Sequence, residues 1–272
     1  QGSKAMWLKS EAGWARARSA AVAIPGLRHR RHLSAALMVQ GSEPLRVLFM
    51  HGLESGPQGS KAMYLRRRFP TEVPDMGMSA FDPRKPQSPM RWIMLLVVCV
   101  AIIATRLPAA AAATVLVCGG AAIVPLTRWR LRVSLDTCVA IQATAISRAQ
   151  PNIVVASSWG GAVALRLLEI GQWHGPTLLL APAVAAYGCF GLVWPRWRPE
   201  VPSECAPRCC VVQGENDATV PRSAVEAMCQ RLRIEFQLVP SGDHRLNEAL
   251  LETNRLEELI HIVAGRAQRR AT

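Results

Sequence analysis

From residue 45 onward, short apolar runs alternate with longer segments in which apolar residues recur at helical spacing. The short runs predict buried strands at 45–50, 153–156, 177–181, 209–213 and 234–239. The longer segments predict helices at 60–69, 134–148, 160–170, 222–232 and 246–263, and Ser134 is placed to cap the second of them. Strands that alternate with helices indicate the α/β fold class, here a mainly parallel sheet with helices on both faces.

Residues 84–132 interrupt this alternation and predict an apolar helical hairpin. Trp92–Thr105 contains no charged residue, Leu107–Thr127 contains none either, and Arg106 separates them. The second segment is long enough to span a bilayer at about 1.5 Å per residue, and the first is short for that. With Arg106 at the tip, four basic residues lie at the opposite end, as cytoplasm-facing flanks often do: Arg91, Arg128, Arg130 and Arg132. Two interpretations stay open, a membrane-associated hairpin, which we favour, and a hydrophobic cap over the body.

The formal charge of +13 is unevenly distributed along the chain. Residues 1–44 carry a net +5 and residues 84–132 a net +7, so the other 179 residues contribute only +1. A duplex-binding domain would carry its basic excess on the folded body, so we expect no nucleic-acid partner. Half of the residues are apolar, enough for a globular core.

The N-terminal segment 1–44 is rich in Arg, Ala and Ser and poor in acids, which suits an organellar transit peptide. Residues 1–8 also match residues 58–65 at seven of eight positions, as a remnant of a duplicated copy would. We expect this segment to be disordered.

Eight cysteines are scattered along a chain too long to need disulfide bonds, which favours reduced thiols in an intracellular compartment. Cys205, Cys209 and Cys210 form the only metal-like group, but they lack C-x-x-C spacing and a nearby His. The sequence contains no Walker loop and no dinucleotide fingerprint. We therefore expect neither a metal nor a cofactor.

Ser158 is the candidate nucleophile, because it lies between a predicted strand and a predicted helix with Gly160 two residues later. This is the context of a nucleophile elbow, in which a tight turn exposes the serine and the helix start faces a developing oxyanion. Ser157 is a weaker candidate, since Trp159 stands two residues after it. A serine at such a turn is not specific by itself, because ordinary helix caps look similar.

Asp217 and His244 are the candidate partners of Ser158. Asp217 follows the predicted strand that ends at residue 213, and His244 follows the one that ends at residue 239. Open α/β sheets build their sites at the carboxyl ends of the strands, so the order Ser, Asp, His predicts a catalytic triad there. Asp243 and Glu215 are alternative acids.

The first strand is followed by HGLESGP, residues 51–57, and with this motif the chain resembles the α/β-hydrolase superfamily, close to small bacterial-type serine esterases. The resemblance covers 45–83 and 133–265, and implies a hydrolase domain at 45–265, interrupted by 84–132 and followed by a tail at 266–272. It also implies an oxyanion hole made by the backbone N–H groups of Leu53 and Trp159. For substrate binding it implies three residues: His51, Gly52 and Glu54. The chain departs from the pattern in the inserted hairpin and in Ala156, where the usual motif has Gly.

These features predict a serine hydrolase that cleaves carboxylic ester or thioester bonds of a small-molecule acyl substrate. Ser158 would attack the carbonyl, His244 would take its proton, and Asp217 would orient the imidazole. The apolar insertion beside the site favours a lipid-like acyl chain, and segment 92–127 favours membrane association. The alternative is a catalytically silent hydrolase fold that serves as a membrane-tethered binding module.

Overall fold

The computed structural model describes residues 44–79, 81–195 and 197–268. It contains a six-stranded sheet with the strand order β2-β1-β3-β4-β5-β6, in which every neighbouring pair is parallel. The strands are β1 (Val47–Met50), β2 (Thr71–Glu72), β3 (Ile153–Ser157), β4 (Thr177–Leu180), β5 (Cys209–Gly214) and β6 (Glu235–Val239). The carboxyl ends of parallel strands meet at one edge of a sheet, so the loops after β1, β3, β5 and β6 lie close together.

Helices cover both faces of this sheet, which confirms the predicted fold class. They are α1 (Ser60–Arg66), α2 (Pro89–Ala104), α3 (Ala109–Ala149), α4 (Trp159–Glu169), α5 (Gly188–Val193), α6 (Arg222–Leu232) and α7 (Arg255–Gln268). Successive strand residues face opposite sides, so Leu48 belongs to the buried layer that contains residues of α3, α4 and α6, whereas Val47 belongs to the layer that contains residues of α1 and α7. Two buried apolar layers result.

The predicted hairpin is present, with Arg106 in the turn between α2 and α3. The two helices approach closely, because a Cβ atom on Gly119 would lie 2.6 Å from a methyl carbon of Val100. However, α3 does not end with the apolar segment. It continues through Pro125 into the body as one helix of 41 residues, so residue 132 is not a structural boundary.

Ser134 was therefore wrongly predicted as a helix cap. It lies in the middle of α3, fully buried, and its hydroxyl donates a hydrogen bond to the backbone carbonyl of Gln87 at 2.8 Å. The physical reason is that Arg, Trp and Leu at 128–132 are all compatible with a helix, so nothing in this stretch ends one that has already formed.

The predicted single helix at 246–263 is also wrong. A π-helical turn at Glu248–Glu252 is separated from α7 by Asn254, which has a left-handed φ of 58°. Asparagine adopts this conformation more readily than most residues, and the side-chain oxygen of Asn254 accepts hydrogen bonds from Tyr64 and Arg68 of the α1 region. The predicted tail begins inside α7, and residues 1–43, with their predicted disorder and transit peptide, lie outside the described residues.

Candidate active site

Ser158 lies on a tight turn between β3 and α4, with φ 54° and ψ −115°. A non-glycine residue with positive φ is strained, and such strain is typical of nucleophile elbows. The turn needs its glycines: a Cβ atom on Gly160 would lie 2.1 Å from the carbonyl oxygen of Met50, and one on Gly161 would lie 2.8 Å from Cα of Pro182. Ala156 is fully buried within β3.

The structure brings Ser158, His244 and Asp217 into one hydrogen-bonded chain. The Oγ atom of Ser158 lies 3.0 Å from Nε2 of His244, and Nδ1 of His244 lies 2.8 Å from Oδ2 of Asp217. The carboxylate can only accept, so Nδ1 carries the ring proton and Nε2 accepts the proton of the serine hydroxyl. This is the geometry in which an imidazole can take a proton from serine.

Asp217 is held by more than the histidine. Its Oδ1 atom accepts from the backbone N–H groups of Thr219 at 2.8 Å and Val220 at 2.9 Å, and its Oδ2 atom also accepts from Nε2 of Gln213 at 2.8 Å. Burial alone would raise the pKa of Asp217, but the hydrogen bonds from His244 and the two backbone groups outweigh it and hold the pKa below its usual value. The carboxylate is therefore ionised at neutral pH.

The sequence reasoning missed Gln213. It is fully buried within β5, where its neighbours are apolar. A long polar side chain inside an apolar strand needs a buried partner, and that signal could have identified it.

The rival residues have other partners. The carboxylate of Asp243 accepts from the backbone N–H of Leu246 at 2.7 Å, and that of Glu215 accepts from the N–H of Ser241 at 3.0 Å. Ser157 is largely buried within β3. Among the hydrogen bonds of the described residues, none joins these three side chains to His244.

The loop after β1 lies against the serine. A Cβ atom on Gly52 would be 3.2 Å from Cβ of Ser158, so glycine permits this close approach. In the parts of the chain that the structure describes, the backbone N–H groups of Leu53 and Trp159 have no protein acceptor. An oxyanion hole requires unpaired N–H groups of this kind near the nucleophile.

His51 does not line the cavity, which differs from its predicted substrate contact. Its ring is fully buried; Nδ1 donates to the carbonyl of Gly52 at 2.9 Å, and Nε2 accepts from the N–H of Met76 at 3.2 Å. Burial keeps the pKa of His51 below its usual value, although the Gly52 carbonyl and Asp75 act in the opposite direction. The side chain therefore fixes the backbone of the first loop.

A cavity of about 670 Å³ opens beside Ser158. Part of its lining is apolar, with alanines at 183, 185 and 186 and the aromatic residues Phe81, Tyr187, Phe190 and Trp194. The lining also contains polar and charged residues, among them Glu54, Lys61, Arg245 and Asn247. The predicted residues Gly52 and Glu54 thus lie at the cavity, and Glu54 accepts a hydrogen bond from Ser79.

Lys61 is a second residue that the sequence reasoning missed. Its ammonium group donates to the backbone carbonyl of Arg245 at 2.5 Å and to the side-chain oxygen of Asn247 at 3.1 Å. Burial lowers the pKa of Lys61 to about 8, against the opposing effect of Asp243. The side chain ties α1 to the loop that carries His244.

The chain is similar to several solved structures. The ydeN gene product of B. subtilis is 13% identical, with a TM-score of 0.50, over 82% of this chain and 99% of the other. A protein of the α/β hydrolase superfamily from Xanthomonas campestris pv. campestris is 20% identical, with a TM-score of 0.46, over 82% and 98%. The monoacylglycerol lipase of Paleococcus ferrophilus is 11% identical, with a TM-score of 0.49, over 81% and 94%.

The chain has the α/β-hydrolase fold. No protein-family profile matches it, and no curated protein matches it in sequence. In this α/β-hydrolase fold the hairpin enters between β2 and β3, where α3 also supplies a helix that packs on the sheet. One continuous helix, α3, therefore runs from the insertion into the body.

Proposed function

We propose that this chain is a serine hydrolase that cleaves carboxylic ester or thioester bonds through an acyl-enzyme. The observation that carries the proposal is the hydrogen-bonded chain from Ser158 through His244 to Asp217, which opens into a cavity at the carboxyl edge of the sheet. A helix-capping serine and a surface histidine would have no reason to share this geometry with a buried, ionised carboxylate.

The proposed mechanism assigns one role to each group. Ser158 attacks the acyl carbonyl as His244 takes its proton, and Asp217 stabilises the imidazolium that forms. The N–H groups of Leu53 and Trp159 bind the tetrahedral oxyanion. His244 then protonates the leaving alcohol or thiol and activates the water that releases the acyl group.

Labelling with a fluorophosphonate probe tests this proposal without a guess at the substrate. The probe reacts with a serine that a base and an oxyanion hole activate, so we expect labelling of the unmodified chain and none of Ser158→Ala. Ser157→Ala is the matched control and should still be labelled. Equal labelling of Ser158→Ala would move the nucleophile elsewhere, and a folded but unlabelled chain would favour the silent binding module.

We also propose that the hairpin associates with a membrane and that the substrate carries a lipid-like acyl chain. Helix α3 is long and apolar enough to cross a membrane by length and composition, and its most apolar window has a mean hydropathy of 2.0 with none of it buried. A cap over the body would bury this segment. Co-sedimentation with lipid vesicles tests the proposal: loss of binding after deletion of residues 92–127 supports it, and unchanged binding contradicts it.

A further inference from the structure

Exposed apolar side chains are concentrated around the hairpin and the mouth of the cavity. Of the 17 large apolar residues that are exposed in the described part of the chain, 11 lie on the hairpin and three, Phe81, Tyr187 and Leu192, lie on the segments that contribute Phe81, Tyr187 and Phe190 to the cavity lining. A soluble surface rarely groups so many of these residues, and such a patch marks an interaction site. The hairpin and the segments that line the cavity therefore both carry exposed apolar side chains.

The base of the hairpin has the composition of a membrane interface. The guanidinium of Arg130 stacks over the ring of Trp92 at 4.6 Å and lies 5.4 Å from the ring centroid of Trp129. Tryptophan and arginine are enriched where a membrane segment meets water. No acidic residue occurs between Asp82 and Asp136, so nothing in the hairpin repels an anionic lipid surface.

Helix α5, which contributes to the cavity lining, is hydrogen-bonded to the base of the hairpin. The Nε atom of Arg128, next to Trp129 in α3, donates to the backbone carbonyl of Leu192 at 2.7 Å, which anchors α5. Phe190 of α5 packs edge-to-face on Phe81, with ring centroids 5.6 Å apart, and both line the cavity. The aromatic part of the cavity lining is thus linked through one hydrogen bond, from Arg128 to Leu192, to the helix that carries Arg130 and Trp129.

We propose that the cavity opens at the membrane surface and takes an acyl ester that resides in the bilayer, whose chain enters past Phe81 and Phe190. This inference rests on the proposed hydrolase function and names the source of its substrate. Passage of the acyl chain through water on its way to the site is unfavourable, in proportion to the number of methylene groups that become hydrated. A cavity that meets the lipid at the level of its ester groups avoids this cost.

The test uses the full chain on phosphatidylcholine vesicles that contain some phosphatidylserine, with two substrates. One is a water-soluble acetyl ester, and the other is a long-chain monoacylglycerol dissolved in the vesicles. The variant is Leu192→Asp, because Leu192 is 61% exposed and does not line the cavity. The control is Ile262→Asp, because Ile262 is 49% exposed and lies on α7, which covers the opposite face of the sheet.

We expect Leu192→Asp to lower the rate on the vesicle substrate about tenfold, since an apolar contact with lipid becomes a charge. Its rate on the acetyl ester should not change, and Ile262→Asp should change neither rate. Equal rates of Leu192→Asp and the unmodified chain on the vesicle substrate would overturn the inference and leave the hydrolase function standing. If neither ester is cleaved and no fluorophosphonate labelling occurs, the hydrolase function fails, and the inference fails with it.

Discussion

The two halves of α3 belong to one unbroken helix, yet they meet opposite surroundings. In the half that follows Ala109, Leu116 is 53% exposed and Val117 73% exposed. In the half that ends at Ala149, Leu131 and Val139 are buried against the sheet. Helix propensity and continuity are the same in both, so neither decides what a helix packs against.

The spacing of polar residues accounts for the difference. In the second half, buried residues recur every three or four positions: 131, 135, 138, 139, 142 and 145, while Arg132 and Asp136 on the other side are exposed. Such a stripe can be covered by one protein surface. Residues 109–127 are apolar or uncharged on all sides, so one protein surface cannot cover them. A helix segment that is apolar on all sides is covered only by an apolar environment that surrounds it. An amphipathic segment is covered by a single protein surface.

The largest expected effect comes from placing the same charge in each half. Val139→Asp buries an unpaired carboxylate and should lower the free energy of unfolding by more than about 3 kcal/mol. Val117→Asp should change it by less than about 0.5 kcal/mol, because the site is exposed. Urea unfolding in aqueous solution, with no detergent or lipid to cover the exposed half, measures both changes. Similar losses would mean that the exposed half is covered by protein.

A smaller effect is expected where α2 and α3 touch. A Cβ atom on Gly119 would collide with Val100, whereas one on the adjacent Gly120 would meet nothing within 4 Å. Gly119→Ala should therefore leave the hairpin about 1–3 kcal/mol less stable than Gly120→Ala. Hydrogen exchange of the α2 amides reports this difference, and equal exchange in the two variants would contradict the close packing.

In the buried half, Ser134→Ala should cost about 1 kcal/mol, because the carbonyl of Gln87 loses its donor. Thr144→Ala is the control in the same half: its hydroxyl bonds to the carbonyl of Ala140 within the helix and is exposed. Thermal unfolding should show a lower midpoint for the first variant and almost no change for the second. Equal midpoints would remove Ser134 as a link between α3 and the body.

The smallest expected effect is a pH dependence of stability that arises next to the buried half of α3 and not in the exposed half. Cys138 of α3 donates to the carbonyl of Met76, whose N–H donates to His51. Because burial lowers the folded pKa of His51, the unfolded chain binds its proton first. The contribution of His51 to the free energy of unfolding is then fully present above about pH 6.5 and is lost as the pH is lowered below it.

Unfolding of the unmodified chain and of His51→Asn at about pH 7.5 and about pH 5.5 isolates this contribution from that of the carboxylates. The loss of stability at the lower pH should be smaller in the variant. An equal loss would assign it to other groups. Residues 107–127 contain no Asp, Glu or His, so the exposed half adds nothing in this range.

Much of the sheet could be predicted from the sequence, because a buried parallel strand is a short apolar run. The run at 153–156 corresponds to Ile153–Ser157 and the run at 209–213 to Cys209–Gly214. Strand β2, Thr71–Glu72, is too short to carry any pattern. The path of α3 was missed because its charged residues were interpreted as a boundary, although charge does not end a helix.

The site divides in the same way. Ser158, Asp217 and His244 could be proposed because each follows a strand that a pattern reveals, and their catalytic roles stay predictions. Lys61 acts through contacts with Arg245 and Asn247, which are distant in the sequence, so no local pattern encodes it. Gln213 has one local signal, a long polar side chain inside an apolar strand, but that signal does not name its partner. His51 was placed with the substrate because its motif is next to the site, whereas its ring turns into the core.

Pro125 gives α3 a mechanical property. A proline within a helix removes one backbone donor and concentrates bending at that turn. On either side of Pro125 the helix keeps its backbone hydrogen bonds and is rigid. A rotation of the hairpin would therefore be transmitted to the body unless the helix bends at Pro125. Pro125 lies one turn before Arg128, whose side chain donates a hydrogen bond to α5. A tilt of the hairpin would thus either bend α3 at Pro125 or displace α5, which contributes Phe190 to the cavity lining.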